Sequence, residues 1–240
     1  MKSPVNLLKP VMIAAAIGVA GYGLIGLTAN GATPPGPGAG VVPAAIVDSA
    51  PPTGGLQTAV LSGGCFWGVQ GVFEHVRGVR QVVAGYTGGA ASTAQYETVS
   101  TGLTHHAESV EITFDPKQIS YGQILRIFFS VATDPTQVNQ QYPDEGTQYR
   151  SEIWYTNADQ QRVASAYIAQ LNHAGVFKRP IATRVDPEKG FYPAEAYHQN
   201  YLFLHPEQPY IAAYDLPKVD ALRRDFPAQY QAAPILVASR

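Results

Sequence analysis

The chain has 240 residues, enough for one domain with a sizeable core plus appendages and too few for two large domains. Only 14% of the residues are charged and the formal net charge is -2, which excludes the electrostatic footprint of a nucleic-acid binder. A single cysteine, Cys65, rules out an internal disulfide and leaves two readings, a small buried hydrophobe or a reactive thiol.

Residues 1–32 carry Lys2 and Lys9, an uncharged apolar run from Val11 to Leu27, and small residues ending at Ala32. This pattern predicts a secretory signal, since the run lacks the polar face of an amphipathic helix. It is slightly shorter than the roughly 20 apolar residues of a membrane span, so a cleaved signal and an uncleaved anchor both stand. The lysines place the rest of the chain outside the cytoplasm, in the periplasm or its equivalent. Residues 33–55 mix Pro, Gly and Ala without apolar periodicity and read as a disordered linker. With no repeat or charge run beyond it, the folded unit is expected at residues 56–230, followed by a tail at 231–240.

Within that unit, Ala59, Val60 and Leu61 suggest a strand, Gly63 and Gly64 a break, and Phe66, Val69, Val72, Phe73 and Val76 a helix. Cys65 falls between strand and helix, where free amides and the helix dipole are expected to favour its thiolate and lower its pKa. Strands are expected at Val79 to Tyr86 and Glu108 to Phe114. In the second, Val110, Ile112 and Phe114 share one face by alternation while Ser109, Glu111 and Thr113 share the other. Glu108 falls on the apolar side, where burial raises a carboxyl pKa, unless the residue lies beyond the strand in solvent. Ser120 and Gln123 form a capping-box signature before the helical run Ile124, Leu125, Ile127, Phe128 and Val131. A polar loop is expected from Asp134 to Gln148, then a strand at Arg150 to Tyr155, a helix capped by Asn157 and closed by Gly175, and a strand at Ile181 to Val185. The tail from Leu204 is rich in proline and tyrosine, with one helix opened by Pro217. Because no helix separates the strands at 79–86 and 108–114, the pattern predicts an α+β fold with a mixed or antiparallel sheet.

The string GGCFWG at Gly63 to Gly68 resembles the signature of the peptide methionine sulfoxide reductase A family. The likeness continues in order through GYTGG at 85–89, Tyr96-Glu97, HAE at 106–108, GTQYRS at 146–151 and FYPAEAYHQNYL at 191–202. It implies a two-layer α/β sandwich of ferredoxin-like character with a mixed sheet, and a role in repair of oxidised proteins. Carried onto these positions, it implies that Cys65 is the nucleophile and that Glu108 protonates the sulfoxide oxygen. Tyr96 and Tyr149 would hydrogen-bond that oxygen, Asp144 would assist through water, and Phe66 with Trp67 would hold the substrate methyl group. It further implies reduction of the S epimer of methionine sulfoxide, peptide-bound or free, by attack on sulfur that leaves a sulfenic acid on Cys65. No cofactor or metal is expected. Many relatives carry resolving cysteines in the tail, and this chain has none. Regeneration is therefore expected from an external thiol reductant: thioredoxin, glutaredoxin or glutathione.

Six histidines raise a metal reading, but His105 and His106 are adjacent and would point to opposite faces of a strand. His75, His173 and His205 read as surface or packing residues, while for His198, inside the matched AEAYHQNY segment, the resemblance implies a role in organising the surroundings of the site. Three rival functions remain: a cysteine hydrolase or acyltransferase with a histidine base, a thiol peroxidase, and an exported module that binds methionine-rich partners through Phe66 and Trp67.

Overall fold

The computed structural model describes residues 40–50 and 54–238. The expected signal or anchor at 1–32 lies outside them, and among the described residues no helix is long and apolar enough to cross a membrane.

The elements in chain order are β1 (Gln57–Gly63), α1 (Phe66–Glu74), β2 (Val79–Thr87), α2 (Tyr96–Val99), β3 (Ala107–Phe114), α3 (Tyr121–Ile127), β4 (Gln140–Gln141), β5 (Asp144–Glu145), β6 (Ser151–Tyr155), α4 (Ala158–His173), β7 (Arg184–Pro187), β8 (Phe191–Pro193), α5 (Tyr201–Leu204) and α6 (Leu216–Asp225). Six strands make one sheet in the order β7-β6-β1-β3-β2-β8, antiparallel except for the parallel pair β6 and β7. β3 lies between β1 and β2 and is antiparallel to both, so α1 joins two strands separated by a third. The result is the expected α+β architecture with a mixed sheet.

Alternation sorts the side chains into layers. Ala59 and Leu61 of β1 join Val110, Ile112 and Phe114 of β3 in the main core against α1, while Val60, Ala107 and Trp154 cluster on the opposite face. The helical spacing read after Cys65 is fully used, since Phe66, Val69, Val72, Phe73 and Val76 are all buried. The capping box at α3 is present: the Ser120 hydroxyl accepts the Gln123 N–H and the Gln123 side chain accepts the Ser120 N–H. Such a cap contributes about 1 kcal/mol. At α4, Asn157 caps the helix through the Gln160 N–H.

Three expectations are corrected. Within the stretch 33–55 expected as a linker, residues 42–48 are docked. Val42 is fully buried, its N–H donating to Ser130 Oγ (3.1 Å) and its carbonyl accepting from Arg126 Nε (2.9 Å). Tyr167 donates to the Pro43 carbonyl at 2.6 Å, and Gln170 brackets the Ala44 carbonyl and the Ile46 N–H. Asp48 accepts from the Gly122 N–H (2.8 Å) and the Ser120 hydroxyl. Side chains of α3, of Ser130 in the turn after it and of α4 satisfy the backbone of this strap, so it needs no periodicity of its own. The tail beyond 230 is likewise tied down. Gln231 N–H donates to the His75 carbonyl, Ile235 N–H to the Glu74 carbonyl, and Val237 N–H to Asn200 Oδ1, each at 2.9 Å. Finally, the strand expected at 181–185 begins at Arg184, because the N–H groups of Ile181 and Ala182 are taken by Asn172 Oδ1 and the Pro135 carbonyl.

Candidate active site

The chain leaves β1 through Gly64, whose φ of +97° is left-handed backbone, and where a Cβ would lie 2.5 Å from that of Gln141. This turn sets Cys65 at the head of α1, 8% exposed. Glu108, near the start of β3, faces the same point, and its Oε2 accepts the Phe66 N–H at 2.9 Å. The carboxyl is buried, on the apolar face that alternation assigns it. Burial raises its pKa to about 8 against the pull of the Phe66 N–H, with Asp144 and Asp215 adding to the rise. At pH 7 Glu108 is therefore mainly a neutral acid.

The thiol departs from expectation. Burial pushes the Cys65 pKa up, and Glu108, Asp215 and Asp144 push it further, while the Trp67 N–H alone pulls it down. One turn of helix does not outweigh desolvation with three carboxyls nearby, so the resting group is the thiol and not the thiolate.

The remaining residues singled out in the sequence converge here. Tyr96 opens α2, half-buried, and burial followed by Glu108 raises its hydroxyl. Tyr149 closes the turn before β6 and is raised by burial, then by Glu108, Asp144 and Cys65. Asp144 sits in a β4–β5 hairpin within the stretch read as a polar loop, and accepts a hydrogen bond from Tyr210. Phe66 is buried, 5.8 Å from the Tyr86 ring and 6.4 Å from Trp67. Trp67 stacks on Tyr201 at 3.9 Å and donates its indole N–H to His198 Nδ1 at 3.1 Å.

Sequence reasoning missed Glu195, Tyr210, Asp215 and Lys218. Glu195 accepts the Tyr96 N–H (2.9 Å) and the Tyr86 hydroxyl (2.8 Å). Asp215, fully buried, pairs with Lys218 at 3.1 Å and lies against Gly68, where a Cβ would come within 2.0 Å of its carboxyl. Glu195 lay inside the matched FYPAEAYHQNYL string, which was its only signal. The other three sit in the tail read as rich in proline and tyrosine, Lys218 within the helix expected at Pro217.

His106 is buried and structural: its ring accepts from the Gly89 N–H and meets the Ala90 carbonyl at 3.0 Å. Among the described residues no group of His, Cys, Asp and Glu is placed to hold a metal. A thiol beside a neutral carboxylic acid and phenol hydroxyls can attack an electrophile while donating protons to an oxygen on it.

A lone thiol at a helix head, with a buried carboxyl of raised pKa against the same helix turn, fits a thiol oxidoreductase. The family model described as peptide methionine sulfoxide reductase matches residues 57–230, and the chain belongs to that family. It is of the A type. A Mesorhizobium japonicum protein named peptide methionine sulfoxide reductase MsrA 2 is 57% identical over 185 residues, covering 77% of this chain and 95% of that protein. A Synechocystis protein of the same name is 50% identical, covering 78% and 88%. Among solved structures, methionine sulfoxide reductase A of Corynebacterium diphtheriae is 32% identical with a TM-score of 0.56, over 68% of this chain and 82% of that one.

Proposed function

We propose that the protein reduces the S epimer of methionine sulfoxide, peptide-bound or free, to methionine. The observation that carries this reading is the buried Glu108 carboxyl bound to the first helical N–H after Cys65, where burial raises its pKa to about 8. A sulfoxide is a poor electrophile until its oxygen is protonated. Glu108 supplies that proton, Tyr96 and Tyr149 donate hydrogen bonds to the same oxygen, and Asp144 assists. Phe66 and Trp67 hold the methyl group. Cys65 sulfur attacks the substrate sulfur and forms a sulfur–sulfur bond; that bond and the substrate's sulfur–oxygen bond then both break as the oxygen passes to Cys65, leaving the thioether and a sulfenic acid. The thiol proton restores Glu108, so thiol plus sulfoxide gives sulfenic acid plus thioether.

With no second cysteine in the chain, an external thiol attacks the sulfenic acid and releases water, and a further thiol frees Cys65 from the mixed disulfide. Thioredoxin, glutaredoxin or glutathione fit this role. The charge pattern of residues 1–32 supports work outside the cytoplasm, by export or anchoring. As a test, the purified chain with excess dithiol is given methionine S-sulfoxide or hydrogen peroxide, beside a Cys65→Ser variant. The sulfoxide is consumed by the wild type alone and in preference to peroxide. Reduction by Cys65→Ser, or preference for peroxide, contradicts the reading.

A further inference from the structure

The order of the sheet leaves a gap at the end that carries the site. β1 lies between β3 and β6, and its pairing with them stops at Leu61 and Gly63, where the chain turns away to Cys65. The stretches that lead into β3 and β6, residues 105–106 and 147–150, have no strand between them, yet they deliver Glu108 and Tyr149. With no ladder there, side chains must satisfy and hold this backbone.

One side chain spans the gap. Arg150 is buried, and its Nη1 donates to the carbonyls of Thr147 (2.9 Å) and His106 (3.3 Å), its Nη2 to the carbonyl of His105 (3.0 Å). Its Nε–H donates to the buried Glu152, which balances the charge. The guanidinium lies 5.4 Å from the ring centre of Trp154, whose indole N–H is tied to Ser62 Oγ of β1 at 2.8 Å. Ion pair, ring and three carbonyls together fix a rigid planar fork. Two backbone features match it. His105, whose carbonyl Nη2 holds, has a φ of +64°, a left-handed conformation that residues with side chains rarely adopt. At Gly88, with a φ of +103°, a Cβ would lie 3.0 Å from Nη2 and 2.7 Å from the Trp154 ring, so the GYTGG turn passes this close only as glycine.

We propose that Arg150 is a positioning residue, a crossbeam whose guanidinium sets the separation of the Glu108 acid and the Tyr149 phenol around the sulfoxide oxygen. This rests on the roles given to Glu108 and Tyr149 above. The bonds of the guanidinium go to backbone carbonyls and to Glu152, so losing the fork misplaces two proton donors and leaves the aromatic wall that binds substrate intact. Donor alignment counts in the transition state more than in binding.

The test uses Arg150→Lys, which keeps a positive charge beside Glu152 and loses the planar fork, made both in the wild-type chain and together with Glu108→Gln. Single-turnover rates are measured against S-sulfoxide concentration. Arg150→Lys alone should lower the limiting rate about ten- to hundredfold with the half-saturation concentration changed less than about twofold. Added to Glu108→Gln it should cost less than about threefold, because the acid it positions is already gone. If Arg150→Lys does not fold, Arg150→Gln takes its place in both backgrounds. An unchanged limiting rate, a rise in half-saturation concentration as large as the loss of rate, or the same loss in both backgrounds overturns the proposal. A wild type that fails to reduce the sulfoxide contradicts the underlying function instead.

Discussion

The two ends of α1 each meet a buried glutamate, and the pair behave alike in titration and differently in every other respect. Burial raises both Glu108 and Glu74 to about 8. Glu108 faces the first turn, where the Phe66 N–H binds its carboxyl and the helix dipole favours an anion. Glu74 is the last residue of the same helix, fully buried, and neither carboxyl oxygen has a hydrogen-bond partner among the described residues. The dipole there opposes a negative charge. A raised carboxyl pKa therefore does not mark a site by itself; Glu108 is distinguished by donors and by its place beside the thiol.

The largest expected separation is in rate. Glu108→Gln should slow single-turnover reduction by about 10²- to 10⁴-fold, the usual worth of a positioned general acid, whereas Glu74→Gln should reduce sulfoxide at the wild-type rate. A full rate in Glu108→Gln would erase the distinction. In the pH dependence of stability the two variants should behave alike, because both carboxyls are raised to about 8. The folded Glu74 holds a proton to about pH 8 that the unfolded chain releases near the ordinary value of 4.5. Its contribution is therefore greatest below the unfolded value, declines as pH rises from there to about 8, and is level above it. Glu74→Gln removes that decline, so its melting temperature should exceed the wild type's most clearly above pH 8, by the equivalent of a few kcal/mol at most. Identical pH dependence in the wild type and Glu74→Gln would show that Glu74 does not titrate with folding. The smallest effect concerns the thiol. At pH 9 an ionised Glu108 opposes the Cys65 thiolate, so Glu108→Gln should speed alkylation of Cys65 about threefold and Glu74→Gln should not.

What was legible in the sequence followed from local rules. Strict alternation put Glu108 on the apolar face of β3, apolar spacing found α1, and the Ser120 and Gln123 pair marked the start of α3. What was not legible came from contacts distant in the chain. The thiol lies above its local expectation because burial, the largest cause, and then Glu108, Asp215 and Asp144 come from contacts distant in the chain, whereas its helix-end surroundings are local. The strap at 40–48 has no pattern because its partners, Ser130, Tyr167 and Gln170, lie on other elements. His198 was readable as an organiser, but its bond to Trp67 spans 131 positions and no periodicity announces it.

In the proposed reaction Cys65 takes oxygen from sulfoxide sulfur with Glu108 as acid and without help from a second cysteine. The direct measurement is one turnover of the reduced chain with each sulfoxide epimer and no external thiol, reading methionine formed and sulfenic acid trapped on Cys65. The expected yield is about one equivalent of methionine from the S epimer, none from the R epimer, and a matching amount of trapped sulfenic acid. No methionine from the S epimer in that first turnover would contradict it.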